Sequence, residues 1–159
     1  MRTVVVGGSA SDVGKTTLAC HLLAVAFGSF KVGLKVSVSE EPGVFRMVVR
    51  YRDELAPDRG DSRRLLEAGA SAVVWITTSR LAVRTGLARG LLAVRKLRPD
   101  LLVVESTAAG IHLRRVSESW FVLGEGPAKA WATLHQRRAT HVLHSRDVLR
   151  GDIGADLIA

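Results

Sequence analysis

Residues 4–23, VVVGGSASDVGKTTLACHLL, decide how this chain is read. A β-branched run ends in two glycines, and after a short polar turn the sequence becomes rich in Ala and Leu. That is strand, turn and helix with little between them. A helix starting so close to a strand end presents unpaired N–H groups, and the positive end of its dipole, beyond the sheet. Within the turn, Gly14-Lys15-Thr16 matches the end of the phosphate-binding pattern G-x-x-x-x-G-K-S/T. The spacing departs from it: five residues, Ser9 to Val13, separate Gly8 from Gly14, and the expected glycine position holds Ser9. Gly14 lets the backbone approach a phosphate where a Cβ would obstruct it. Lys15 and Thr16 are the candidate catalytic residues, one as a point charge for the terminal phosphates, the other as a Mg²⁺ ligand.

Outward from this stretch, strands and helices alternate. Strands are expected at 2–7, 31–38, 44–51, 71–78, 101–106, 119–124 and 141–145, and helices at 14–27, 62–70, 80–97 and 128–138. Helix 80–97 is interrupted in composition by Gly86 and Gly90. Residues 40–43 read as a turn, 55–61 as a loop, and the tail from Gly151 carries little pattern. Most strands are continuous apolar runs, which predicts an α/β fold: a mostly parallel sheet in three layers, helices on both faces. Strand 44–51 differs, because Phe45, Met47, Val49 and Tyr51 alternate with Arg46, Val48 and Arg50, as on a half-exposed strand. The 159 residues fit a single domain, 1–159, a P-loop nucleotide-binding unit.

A phosphate loop needs an acidic residue on a neighbouring strand to hold Mg²⁺. PDLLVVES (99–106) offers Glu105 at a strand's carboxyl end, although a carboxylate there can also simply cap the strand in solvent. Lys35 ends the VGLK stretch of the second strand at the same sheet edge, facing either ligand or solvent.

The chain carries 23 Lys and Arg against 15 Asp and Glu, a formal charge of +8, and only five of those cations are lysines. Anionic partners fit this balance, and so does a set of solvated arginines. Arg46, Arg50 and Arg52 are expected on one strand face, with few aromatics between them, so stacking on single-stranded nucleic acid gains little support. No apolar run reaches membrane-spanning length, and the lone Cys20 in an apolar helix suits a reducing cytoplasmic setting and a packing role. His135, His141 and His144 are read as separate structural residues, since i, i+3 spacing on a strand sends two rings to opposite faces. Trp75 is expected in the core, and Trp120 and Trp131 in the core or at a dimer face.

With Asp12-Val13 directly before Gly-Lys-Thr, the loop resembles that of dethiobiotin synthetase and the cobyric acid synthase group. The related MinD and ParA ATPases carry an early signature lysine where this chain has Ala10. GDSRRLLEAGASAVVWITTSRLAV (60–83) resembles the molybdopterin-guanine dinucleotide biosynthesis adaptor family MobB, as does the order of features across 2–106. That resemblance implies a small, often dimeric cytoplasmic GTP-binding protein with weak GTPase activity, assisting a molybdopterin-processing enzyme. It further implies that Gly14, Lys15, Thr16 and Thr17 hold phosphates, that Thr16 and Glu105 serve Mg²⁺, and that Asp61 faces the nucleotide. Asp12, Val13 and Lys35 complete the expected nucleotide-binding set. Two departures stand: Ser106 replaces the glycine of the family's VEG turn, and no N-K-x-D motif reads guanine, so GTP and ATP both remain open. The rival readings are an ATP-dependent ligase or kinase of the dethiobiotin synthetase type, with its substrate near Lys35, and a basic nucleic-acid-binding module.

Overall fold

The computed structural model describes residues 1–54 and 60–153. Residues 55–59 of the loop expected at 55–61, and the end of the tail, 154–159, lie outside the described residues. In chain order the elements are β1 (Arg2–Gly8), α1 (Lys15–Val25), β2 (Lys31–Ser39), β3 (Phe45–Tyr51), α2 (Asp61–Glu67), β4 (Ala72–Ser79) and α3 (Val83–Leu97). They continue with β5 (Leu101–Glu105), α4 (Ala109–His112), β6 (Glu118–Leu123), α5 (Ala132–Arg138), β7 (His141–His144) and α6 (Ser145–Arg150). The strands form one seven-stranded sheet in the order β3-β4-β2-β5-β1-β6-β7, parallel except for the antiparallel edge strand β3.

Period-two alternation divides the core into two faces. Val4, Val6, Val103 and Trp120 pack with Leu18, Leu22, Leu65 and Val148, which belong to α1, α2 and α6. Val5, Val104, Leu34 and Ile76 pack with Val83, Leu87, Val94 and Ala109, from α3 and α4. The α/β sheet with helices on both faces is as expected from the apolar strands. No described helix is long and apolar enough to cross a membrane.

Several expectations need correction. α3 runs unbroken through Gly86 and Gly90, because these are its contact points with β4. A Cβ on Gly90 would stand 2.1 Å from Ile76 Cδ1, and one on Gly86 2.9 Å from Thr78 Cβ. Spaced i, i+4, the two glycines form one stripe that brings helix and strand together. α5 begins only at Ala132, after Trp131 turns into the left-handed region (φ 66), so 128–131 is loop rather than helix. Short helices α4 and α6 carry too few residues to show a period in the sequence.

Trp75 is 38% exposed rather than buried. It shares a face with Val73, but α2 covers that face only at the Val73 end, and Trp75 lies opposite half-exposed Val48 of the edge strand. Its indole N–H donates to Ser37 Oγ (3.1 Å). Arg52 does not continue the strand face of Arg46 and Arg50, because β3 ends at Tyr51 and the chain turns into a single 3-10 turn, Arg52–Glu54. Trp120 is fully buried, with His141 stacked on it at 4.1 Å between ring centroids.

His135 is buried completely, bonded to Ser119 Oγ (2.9 Å) and the Thr107 carbonyl (3.0 Å). Burial lowers its pKa. Its ring fills a slot whose walls are glycine: a Cβ on Gly7 would lie 2.1 Å from Nδ1, and one on Gly110 2.3 Å from the ring. Since two hydrogen bonds fix that ring, Gly7→Ala is expected to destabilise the fold by roughly 1–3 kcal/mol or more. A denaturant titration that finds Gly7→Ala as stable as the parent would refute this packing.

Candidate functional site

Parallel register builds the site before any loop is considered. Lys35 of β2 lies beside Glu105 of β5, and Glu105 beside Val6 of β1. The row therefore crosses three neighbouring strands, at the carboxyl end of β5, near that of β1 and midway along β2; open parallel sheets bind ligands beyond the carboxyl ends of their strands. Its side chains stand on the α1 face, since Val6 packs there.

Beyond Val6, β1 ends at Gly8 and the chain winds through 9–14 into α1. Asp12 (φ 54) and Gly14 (φ 100) both adopt left-handed backbone, and Gly14 precedes the first helical residue. Alternating handedness of this kind curls backbone N–H groups into an anion-binding concavity. Only glycine takes φ 100 without strain. Gly8 serves differently: a Cβ there would lie 2.8 Å from Val13 Cγ2 and 3.0 Å from Lys15 Cδ, so the lysine stem crosses directly over it. Val13 itself is buried (3%) and packs inward, leaving only its backbone to the loop.

Lys15 is buried and donates to the Ala10 carbonyl across the loop. Burial first, and then the charge of Lys129, lower its pKa to about 8. Thr16 Oγ1 donates to Glu105 Oε1 at 3.0 Å, and Lys35 Nζ reaches the same oxygen at 3.2 Å while also pairing with Asp61. Burial alone would lower Lys35, but Glu105 and the bond to Asp61 outweigh it and its pKa is raised. Arg64 Nη2 donates to Thr17 Oγ1 (3.1 Å), and Arg64 lies 3.7 Å from Asp61.

Glu105 is 7% exposed, and its Oε2 is buried with no hydrogen-bond partner among the described residues. A buried carboxylate oxygen without a donor costs free energy unless a cation completes it. Among the described residues, no group of three or more His, Cys, Asp and Glu could hold a metal ion. Mg²⁺ takes one or two protein ligands and completes its shell with phosphate and water. Thr16 and Glu105 fit that requirement.

The residues border a cleft with two lobes. One, of about 410 Å³, is lined by Asp12, Gly14, Thr16, Thr17, Asp61 and Arg64. The other, of about 590 Å³, opens toward Ser37, Val38, Arg80, Thr107 and Trp131. Ser11, Lys15, Lys35, Glu105 and Lys129 border both. Every expected site residue except Val13 thus lines one cleft. Missing from the sequence reading were Arg64 as a wall of the first lobe, Arg80 and Trp131 in the second, and Lys129 at the seam. A usable signal existed for Lys129: three of only five lysines in an arginine-rich chain meet here. Cys20 stays outside, half-buried, its thiol pushed up to about 11 by burial.

No protein family, curated protein or solved structure matches this chain.

Proposed function

We propose that this chain is a P-loop NTPase-type domain that binds a Mg²⁺-nucleoside triphosphate in the lobe formed by residues 11–17, Asp61 and Arg64. One observation carries the reading: Lys15, Thr16 and the buried Glu105, whose Oε2 has no donor among the described residues, converge at the carboxyl ends of neighbouring strands. Backbone N–H groups at the start of α1 orient the phosphates, and Lys15 leaves the Ala10 carbonyl to neutralise them. Thr16 and Glu105 hold the Mg²⁺, which supplies charge neutralisation to the phosphoryl group when bound. Hydrolysis by in-line water attack is slow on this reading, because Asp61 and Glu105 are both engaged by Lys35 and less available to orient a water. The resemblance to the MobB family then suggests GTP as the nucleotide and an accessory role beside a molybdopterin-processing enzyme. A second reading, ATP-dependent ligation or phosphorylation of a small substrate, draws support from the second lobe, which is roomier than the phosphate lobe and continuous with it.

Calorimetry with GTP and ATP, each with and without Mg²⁺, tests the proposal. Affinity for one triphosphate that tightens with Mg²⁺ is expected, and absence of binding to either nucleotide overturns it. GTP preference favours the accessory role, and ATP preference the ligase. The pH profile adds a second check. In the free protein Lys15 loses its proton above about pH 8, whereas a bound phosphate holds it protonated. Binding above that pH therefore takes up a proton, so affinity is expected to fall roughly tenfold between pH 7 and pH 9. A flat profile would show that Lys15 does not meet the phosphate as a cation.

A further inference from the structure

The loop's irregular spacing has a structural counterpart. Ser9 Oγ both donates to the Gly124 carbonyl (2.9 Å) and accepts from the Gly124 amide (2.9 Å), at the end of β6. The Ser9 carbonyl accepts from the Lys129 amide (2.8 Å), and the Ser9 amide donates to the Val122 carbonyl (3.0 Å). Four hydrogen bonds therefore fasten residues 122–129 to the position where the common pattern has glycine. A glycine could make the two backbone bonds but neither side-chain bond. The effect is to hold an exposed lysine, Lys129, in the lining of the phosphate lobe.

Lys129 borders both lobes. Lys15 and Lys129 border the same lobe, and an anion between two ammonium groups is attracted to both. Lys15 rises from the loop itself, so a phosphate chain running along the loop meets Lys15 from beneath. Lys129 comes from a different segment, the β6–α5 connection, and borders the same lobe.

Resting on the nucleotide-binding reading above, we propose that Lys129 is a second phosphate-binding lysine, latched in place by Ser9, that contacts the terminal phosphate of a nucleoside triphosphate. The charge that a partner or an early loop residue could supply is thereby provided from the β6–α5 connection. Ser9 acts as a positioning residue, through Lys129.

The test is calorimetry with the Mg²⁺ complexes of GTP, ATP, GDP and ADP on the full chain, its Lys15→Ala, Lys129→Ala, Lys129→Arg and Ser9→Gly variants, with melting curves to verify folding. Lys129→Ala is expected to weaken triphosphate binding about tenfold while changing diphosphate binding less than about twofold, one charged contact being lost. Lys129→Arg should recover most of the loss. Ser9→Gly, although it moves the loop toward the common pattern, should weaken triphosphate binding about threefold. Unchanged triphosphate affinity in Lys129→Ala, alongside a large loss in Lys15→Ala, overturns this inference and leaves nucleotide binding standing. Equal losses for di- and triphosphates overturn the assignment to the terminal phosphate. A parent chain that binds no nucleotide overturns both readings.

Discussion

Lys15→Ala is expected to abolish nucleotide binding at micromolar concentrations while leaving the melting temperature equal to or above that of the parent chain. The two halves of this expectation come from one fact. Lys15 is buried, and burial is the chief cause of its pKa falling to about 8. At neutral pH the folded chain therefore holds a partly desolvated ammonium, satisfied by the Ala10 carbonyl and crowded by Lys129. Removing it relieves a desolvation cost that the unfolded chain does not bear. It also removes a charged contact to phosphate, worth roughly 1.5–3 kcal/mol per hydrogen bond, so an affinity loss on the order of a hundredfold follows. A structural lysine behaves in the opposite way: its loss would lower the melting temperature and spare binding. Thermal melting and calorimetry on the same sample separate these outcomes, and an unchanged affinity would defeat the phosphate assignment.

The second large effect is expected at Glu105. In Glu105→Gln, nucleotide affinity measured with Mg²⁺ should drop to the value measured in a chelator, so that the metal no longer contributes. Without metal, affinity should hold or improve, because the carboxylate opposes phosphate in a cleft that also holds Lys15, Lys35 and Lys129. The amide remains able to accept from Thr16, which keeps the variant folded, while Lys35 retains Asp61. Some stability is nevertheless lost, since a buried charge pair loses one partner. If Mg²⁺ enhances binding by the same factor in parent and variant, Glu105 is not a metal ligand and its buried Oε2 needs another explanation.

Much of the cleft was legible because local chemistry is periodic. The stretch from Val4 to Leu23 contains its own strand, turn and helix, so Gly14, Lys15 and Thr16 could be placed relative to one another without tertiary information. Glu105 was legible for a related reason: it ends a strand, and strand ends in a parallel sheet gather at one edge. Lys35 sits mid-strand in β2, and the register of β2 against β5 is what brings it beside Glu105. What failed was mostly a matter of coverage. Trp75 sits at an apolar mid-strand position, yet no helix lies over it, and strand periodicity says nothing about where a helix on one face stops. Gly86 and Gly90 looked like interruptions because intrinsic propensity counts against glycine in a helix. Their close approach to Thr78 and Ile76 outweighs that cost.

By itself, then, the sequence determined an alternating α/β sheet and a strand–turn–helix with Gly14, Lys15 and Thr16 where the helix begins, because both depend on residues close together in the chain. Only the tertiary structure decided what stands opposite the loop. Lys129 is over a hundred residues from Lys15, and no spacing rule links them. Ser9 does, through its bonds to the end of β6 and to the segment that follows. Sheet order made this contact, since β6 is the last strand but one to form in the chain and yet lies directly beside the first. The residue that looked like an irregularity in the motif is the one that joins the two halves of the site.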